Sequence, residues 1–183
     1  MRVLVITNDS SVFLRKGLCS AEDMFGGRVR EVRNFCRRLS AVCDVSLGII
    51  SGRFGFVPGS YTIMPYDEIT DTPEAYVELQ RRRDYALNIN MASRIFDRTI
   101  VFVPKVMMAV LLDNNAFPGK VIAVTDGMFR EHFEERGWSW YARSGARIGK
   151  DNADRIFKEV KGIAERLPKD RKVISGASPG PLL

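Results

Sequence analysis

Three polar clusters in this sequence sit where a side chain could do chemistry. Asn8, Asp9 and Ser10 close the apolar run Val3-Leu4-Val5-Ile6. Ser51 and Gly52 close a second run, Val45 to Ile50, and Asp126-Gly127 closes a third, Lys120 to Thr125. A carboxylate in such a place can exchange a proton, accept an N–H hydrogen bond or help to hold a magnesium ion. Asp9, Asp67 and Asp126 are the carboxylates on offer. Asp9 and Asp67 are the candidates for acid–base work; Asp126, with Asn8 and Ser10, is a candidate for ligand binding. Each aspartate also has a structural reading, because Asp caps helices and turns.

The densest stretch runs from Ile49 to Asp67, I-I-S-G-R-F-G-F-V-P-G-S-Y-T-I-M-P-Y-D. It starts as an apolar strand and then meets Gly52, Gly55, Pro58-Gly59 and Pro65. Glycine admits positive φ and close backbone approach. Pro58-Gly59 is a turn dipeptide, and Pro65 holds Met64 extended. The stretch therefore reads as a rigid loop around a site. Ser51, Gly52 and Gly55 would shape the pocket, and Tyr66 would stack on a flat ligand. A connection whose glycines and prolines serve geometry alone fits the same residues.

Gly145-Ala146-Arg147-Ile148-Gly149-Lys150 looks like a phosphate loop but departs from one. It has one residue too few between its glycines, and Asp151 stands where Ser or Thr should follow the lysine. Asp151 reads as the N-cap of the next helix. Arg147 and Lys150 remain a candidate anion site. No G-x-G-x-x-G follows the first apolar run, so the dinucleotide signature is missing. Arg30, Arg33 and Arg37 form a basic row on an amphipathic segment, which is either a phosphate-binding face or a solvated one.

These clusters need elements to hold them. Short apolar runs at Val3–Ile6, Val45–Ile50, Ile100–Val103 and Lys120–Thr125 read as strands covered on both faces. Trp138–Tyr141 is a candidate last strand. Helical patterns lie between them, at about Arg28–Ala41, Thr72–Phe96, Lys105–Leu112, Met128–Arg136 and Asp151–Leu167. Thr72-Pro73 is a strong helix start, with Thr as cap and Pro in the first turn. Strands alternating with helices predict an α/β fold, with a mainly parallel sheet of about four to five strands and helices on both faces. A single domain is expected over residues 1–170, and residues 171–183, rich in Gly, Pro and Ser, read as a mobile tail.

Composition limits the functions. The chain has 183 residues and a formal net charge of +6, which favours phosphates or acidic partners without specifying either. Its three cysteines make no C-x-x-C pair, so no disulfide framework or zinc site is specified. A triad mechanism would rest on the one histidine, His132. No run is long enough to span a bilayer, and Met1–Asp9 lacks a signal-peptide pattern. A cytoplasmic protein with no membrane partner is expected.

Ser51-Gly52-Arg53-Phe54-Gly55-Phe56, followed by Ile63 and Pro65-Tyr66-Asp67, resembles the pattern of the YaaA-like peroxide-stress proteins and related α/β domains. The matching core covers under twenty residues. Asn8-Asp9-Ser10 stands where relatives often carry a Cys- or Lys-containing loop, and the larger members' basic and hairpin insertions are missing. The resemblance implies an α/β fold and a nucleobase, nucleotide or nucleic-acid ligand, with a link to nucleic-acid base modification. The expectation is a nucleotide- or nucleobase-binding, enzyme-like domain with its site at the carboxyl ends of the strands. Its cofactor is unknown. A non-catalytic nucleic-acid binding module and an oligomeric scaffold, such as a homo-oligomer, are the alternatives.

Overall fold

The computed structural model describes residues 1–67, 72–143 and 147–167. The predicted tail, 171–183, lies outside them. The main sheet has six strands: β1 (Arg2–Asn8), β3 (Asp44–Ser51), β4 (Gly55–Pro58), β6 (Arg98–Phe102), β7 (Val121–Thr125) and β8 (Ser139–Ala142), in the order β4-β3-β1-β6-β7-β8. Only β4 is antiparallel, paired to β3. A separate two-stranded ribbon joins β2 (Cys19–Ser20) to β5 (Thr62–Ile63).

The helices are α1 (Ala21–Met24), α2 (Gly27–Leu39), α3 (Pro73–Arg83), α4 (Tyr85–Ser93), α5 (Lys105–Asp113), α6 (Arg130–Glu135) and α7 (Lys150–Arg166). They divide between the sheet's two faces because alternate strand residues point opposite ways. Val3, Val5, Ile49, Ile100, Phe102 and Val124 pack with residues of α1, α2 and α7. Leu4, Ile6, Ile50, Val101 and Ala123 pack with residues of α3, α4, α5 and α6. The α/β architecture with helices on both faces is the expected one.

The strand count exceeds expectation by the hairpin partner β4. Its glycine, proline and aromatics look like loop residues. Pro58 is tolerated because it ends an edge strand, where a missing N–H breaks no inner ladder. Gly48 faces β4 across the pair: a Cβ there would come within 2.4 Å of the Phe56 ring, so that ring fills the place of a side chain.

Thr72 caps α3 as expected, its Oγ1 accepting the Ala75 N–H at 3.2 Å, with Pro73 opening the helix. The helical pattern breaks at Asp84, which has φ 43° and begins α4. The N-cap of α7 is Gly149, with φ 74°, and not Asp151, which falls in the first turn. There its charge favours the positive end of the helix dipole without capping it.

Read in chain order, the five parallel strands are arranged 2-1-3-4-5, a doubly wound order that reverses at β1. Ligands in such sheets bind outside the carboxyl ends of the strands near the reversal. Asn8 and Asp9 stand at that end of β1. Among the described residues no helix is long and apolar enough to cross a membrane.

Candidate functional site

β1 and β3 run side by side, so their carboxyl ends deliver Asp9 and Ser51 to one place. The Asp9 N–H donates to the Ile50 carbonyl at 2.9 Å, extending the ladder one step past the strand. The chain then turns after Ser51, and the Gly52 N–H points back to Asp9 Oδ2 at 2.8 Å. Tyr66 arrives from the far end of the same excursion. Its hydroxyl donates to Asp9 Oδ2 at 2.6 Å and accepts from Ser51 Oγ at 2.7 Å. Ser51 Oγ in turn accepts the N–H groups of Arg53 and Phe54, at 3.3 and 3.1 Å.

The result is a chain of donors, Ser51 to Tyr66 to Asp9, sealed in the protein. Asp9 is 8% exposed and Ser51 is fully buried. Burial pushes the Asp9 carboxyl above the usual carboxylate range; the Gly52 N–H, the Tyr66 hydroxyl and the charge of Arg28 hold it down in part. Both hydrogen bonds land on Oδ2. No described donor reaches Oδ1.

Asn8 is 2% exposed and ties this corner to α2. Its amide donates to the Asp9 carbonyl at 3.2 Å, and its oxygen accepts from Arg28 Nη1 at 3.2 Å. Ser10 closes the turn, its Oγ accepting the Val12 N–H at 3.2 Å. That oxygen would lie 3.0 Å from a Cβ on Gly27, where φ is 54°. Gly26-Gly27 is therefore a place of close approach between the β1 loop and the start of α2. Gly55, with φ 74°, pairs with Ser51 and sets the return of the hairpin.

Tyr66 has a different role from the stacking one expected of it. Its ring sits edge-on to Phe13, Phe25 and Phe54, with centroids 5.3, 6.1 and 5.6 Å away. The ring is 7% exposed, so its faces are committed to the core and only its hydroxyl serves the site. Tyr66→Phe keeps those ring contacts and removes the hydroxyl. The expected result is a loss of about 1–3 kcal/mol of stability. The titration midpoint of Asp9, followed by carboxyl 13C NMR, should rise, because a hydrogen bond to the ionised form has gone.

The other predicted residues lie apart from this network. Asp126 caps the turn after β7, its Oδ1 accepting the Met128 N–H at 3.1 Å, and its carbonyl accepts from Trp140 Nε1 at 3.3 Å. β7 is two strands from β1, about 10 Å away at normal strand spacing. Asp67 is exposed. Arg147 and Lys150 are exposed at the start of α7. A cleft of about 340 Å³ separates that start from α2, lined by Glu31, Phe35, Arg38, Ile148 and Lys150. Glu31 already supplies an anion there, its Oε1 accepting the Gly149 N–H at 3.0 Å.

One member of the basic row of α2 is paired within the molecule, Arg33 with Asp23; the neighbouring Arg38 pairs with Asp154. Arg30 and Arg37 remain exposed. Of the other aromatics, Trp138 packs on Phe117 and Phe133, and Tyr141 donates to Glu159 at 2.6 Å. Tyr61 is 52% exposed.

Sequence reasoning missed Arg28 and the three phenylalanines. Arg28 follows the Gly26-Gly27 break, and its place at the first turn of the helix beside β1 was the available signal. No protein-family model matches this chain, and a search of curated proteins finds none with significant similarity. The functional reading therefore stands on the residues themselves.

Proposed function

We propose that the protein is a nucleotide- or nucleobase-binding, enzyme-like domain whose site is the Asp9 corner of the sheet. The observation that carries this reading is the division of labour on one carboxylate: Oδ2 held by Gly52 and Tyr66, Oδ1 without a described donor. A buried acceptor fixed in this way suits the N–H edge of a base, because the site would otherwise be left with an unmatched polar atom. Its raised proton affinity also suits acid–base work. The position at the carboxyl end of β1, where the strand order reverses, supports the same reading. So does the resemblance of the Ser51–Phe56 and Pro65–Asp67 motif to the YaaA-like proteins, with the link to base modification that it implies.

Base recognition here would depend on Asp9, with Asn8, Ser51 and Gly52 holding the rim and Tyr66 acting through Asp9. The test is a thermal-shift panel of free bases, nucleosides and nucleotides. A ligand present at 100 times its dissociation constant adds about 2.7 kcal/mol of stability. A panel that leaves the melting temperature unmoved throughout counts against the proposal.

A further inference from the structure

The reversal of strand order lies between β1 and β6. The chain leaves β1 for β3 on one side and returns to β6 on the other. The helix after β1, α2, packs on one face of the sheet, and the helix after β6, α5, packs on the opposite face. The two part above the carboxyl ends of β1 and β6, where a doubly wound sheet opens a crevice for a ligand. Asp9 stands on the β1 side of it. The last pair of the two strands is Thr7 with Phe102, so Asp9 follows that pair by two residues and Lys105 by three.

Each helix brings a cation to this crevice at its start. Arg28 is the second residue of α2, and Lys105 is the first of α5. Both stand against local electrostatics, because a positive charge in the first turn opposes the helix dipole. Neither first turn holds an acidic residue, and neither helix has a side-chain cap. No described carboxylate pairs with either cation: Arg28 is half-buried and its described bond runs from Nη1 to Asn8 Oδ1, and Lys105 is exposed. Sequences break such local rules where function requires it. Resting on the nucleotide reading of the Asp9 corner, we propose that the ligand carries a phosphate held between Arg28 and Lys105, so that the site takes a nucleotide in preference to a base or nucleoside. With Nη1 on Asn8, Arg28 keeps its Nε–Nη2 edge, the fork that grips two phosphate oxygens. Lys105 adds a point charge. The dipoles that oppose these cations favour the anion between them.

The test is calorimetric titration of adenine, guanine, cytosine and uracil, each as base, nucleoside and monophosphate. The proteins are wild type, Arg28→Gln and Lys105→Gln at one fixed salt concentration. In the series that binds, the monophosphate is expected to bind wild type about 10- to 150-fold tighter than the nucleoside, the range of one charged hydrogen bond. Each substitution should shrink that ratio toward one. Lys105→Gln should melt no lower than wild type, since it removes a charge that opposes the dipole, so its loss of binding is not a loss of fold. A nucleoside that binds wild type as tightly as its monophosphate overturns the proposal and leaves the Asp9 reading standing. So does a monophosphate preference that both substitutions leave intact. Binding by no member of the panel removes the Asp9 reading and this proposal with it.

Discussion

At pH 7, Asp9→Asn is expected to melt at a higher temperature than the wild type, and the gap is expected to close as the pH falls. The reason is the raised proton affinity of Asp9 in the fold. A folded-state pKa above the unfolded one means that the folded protein holds the proton more tightly. The stabilisation this gives is complete below the ordinary carboxylate pKa. It is lost as the pH rises through the raised value, where the buried group must ionise. An asparagine never ionises, yet its side-chain oxygen still accepts from Gly52 and Tyr66. Asp9→Ala should behave in the opposite way. It strands the Gly52 N–H and the Tyr66 hydroxyl, each at about 1–3 kcal/mol, so its expected loss is about 2–6 kcal/mol at neutral pH. Melting curves of the three proteins from pH 4 to pH 8 read both effects. A wild type that outlasts Asp9→Asn at pH 7 would mean that the carboxylate serves the fold, not a ligand.

Gly55→Val is expected to cost about 2–5 kcal/mol, the sum of left-handed backbone strain for a branched residue and overpacking. Gly55 has φ 74°, and a Cβ there would lie 2.8 Å from Cβ of Arg83 on α3. Gly55 also pairs with Ser51, so relief of the clash would move the turn that aims the Gly52 N–H at Asp9. Urea denaturation gives the magnitude. A loss under 1 kcal/mol would show that the hairpin accepts a side chain there and is less rigid than its contacts imply.

The sheet was legible because β1, β3, β6 and β7 are short apolar runs, and a strand covered on both faces leaves that mark in sequence. β4 left no such mark: an edge strand of Gly, Phe, Val and Pro has neither the length nor the alternation of an inner strand. Asp9, Ser51 and Tyr66 were each visible as candidates, since strand ends and Pro-flanked turns stand out. Their meeting at one carboxylate was not visible, because it depends on β3 lying beside β1 and on a ribbon of two-residue strands that returns Tyr66 to the rim. Beside the basic row on α2, Arg38 pairs with Asp154, which is 116 residues away in the chain. No local pattern shows such a partner. In sequence the Tyr66 ring reads as a stacking group; the three phenylalanines that enclose it come from three separate segments.

The central claim is that Asp9 reads a donor on a base. Calorimetric titration of the bases and nucleotides that shift the melting temperature, into wild type and Asp9→Asn side by side, tests it most directly. The amide puts an N–H₂ where a carboxylate oxygen stood. Losing a hydrogen bond to a charged acceptor costs about 1.5–3 kcal/mol, so affinity should fall roughly 10- to 150-fold while the variant stays folded. Equal affinity in the two proteins would contradict the claim and move the ligand, if one binds, away from Asp9.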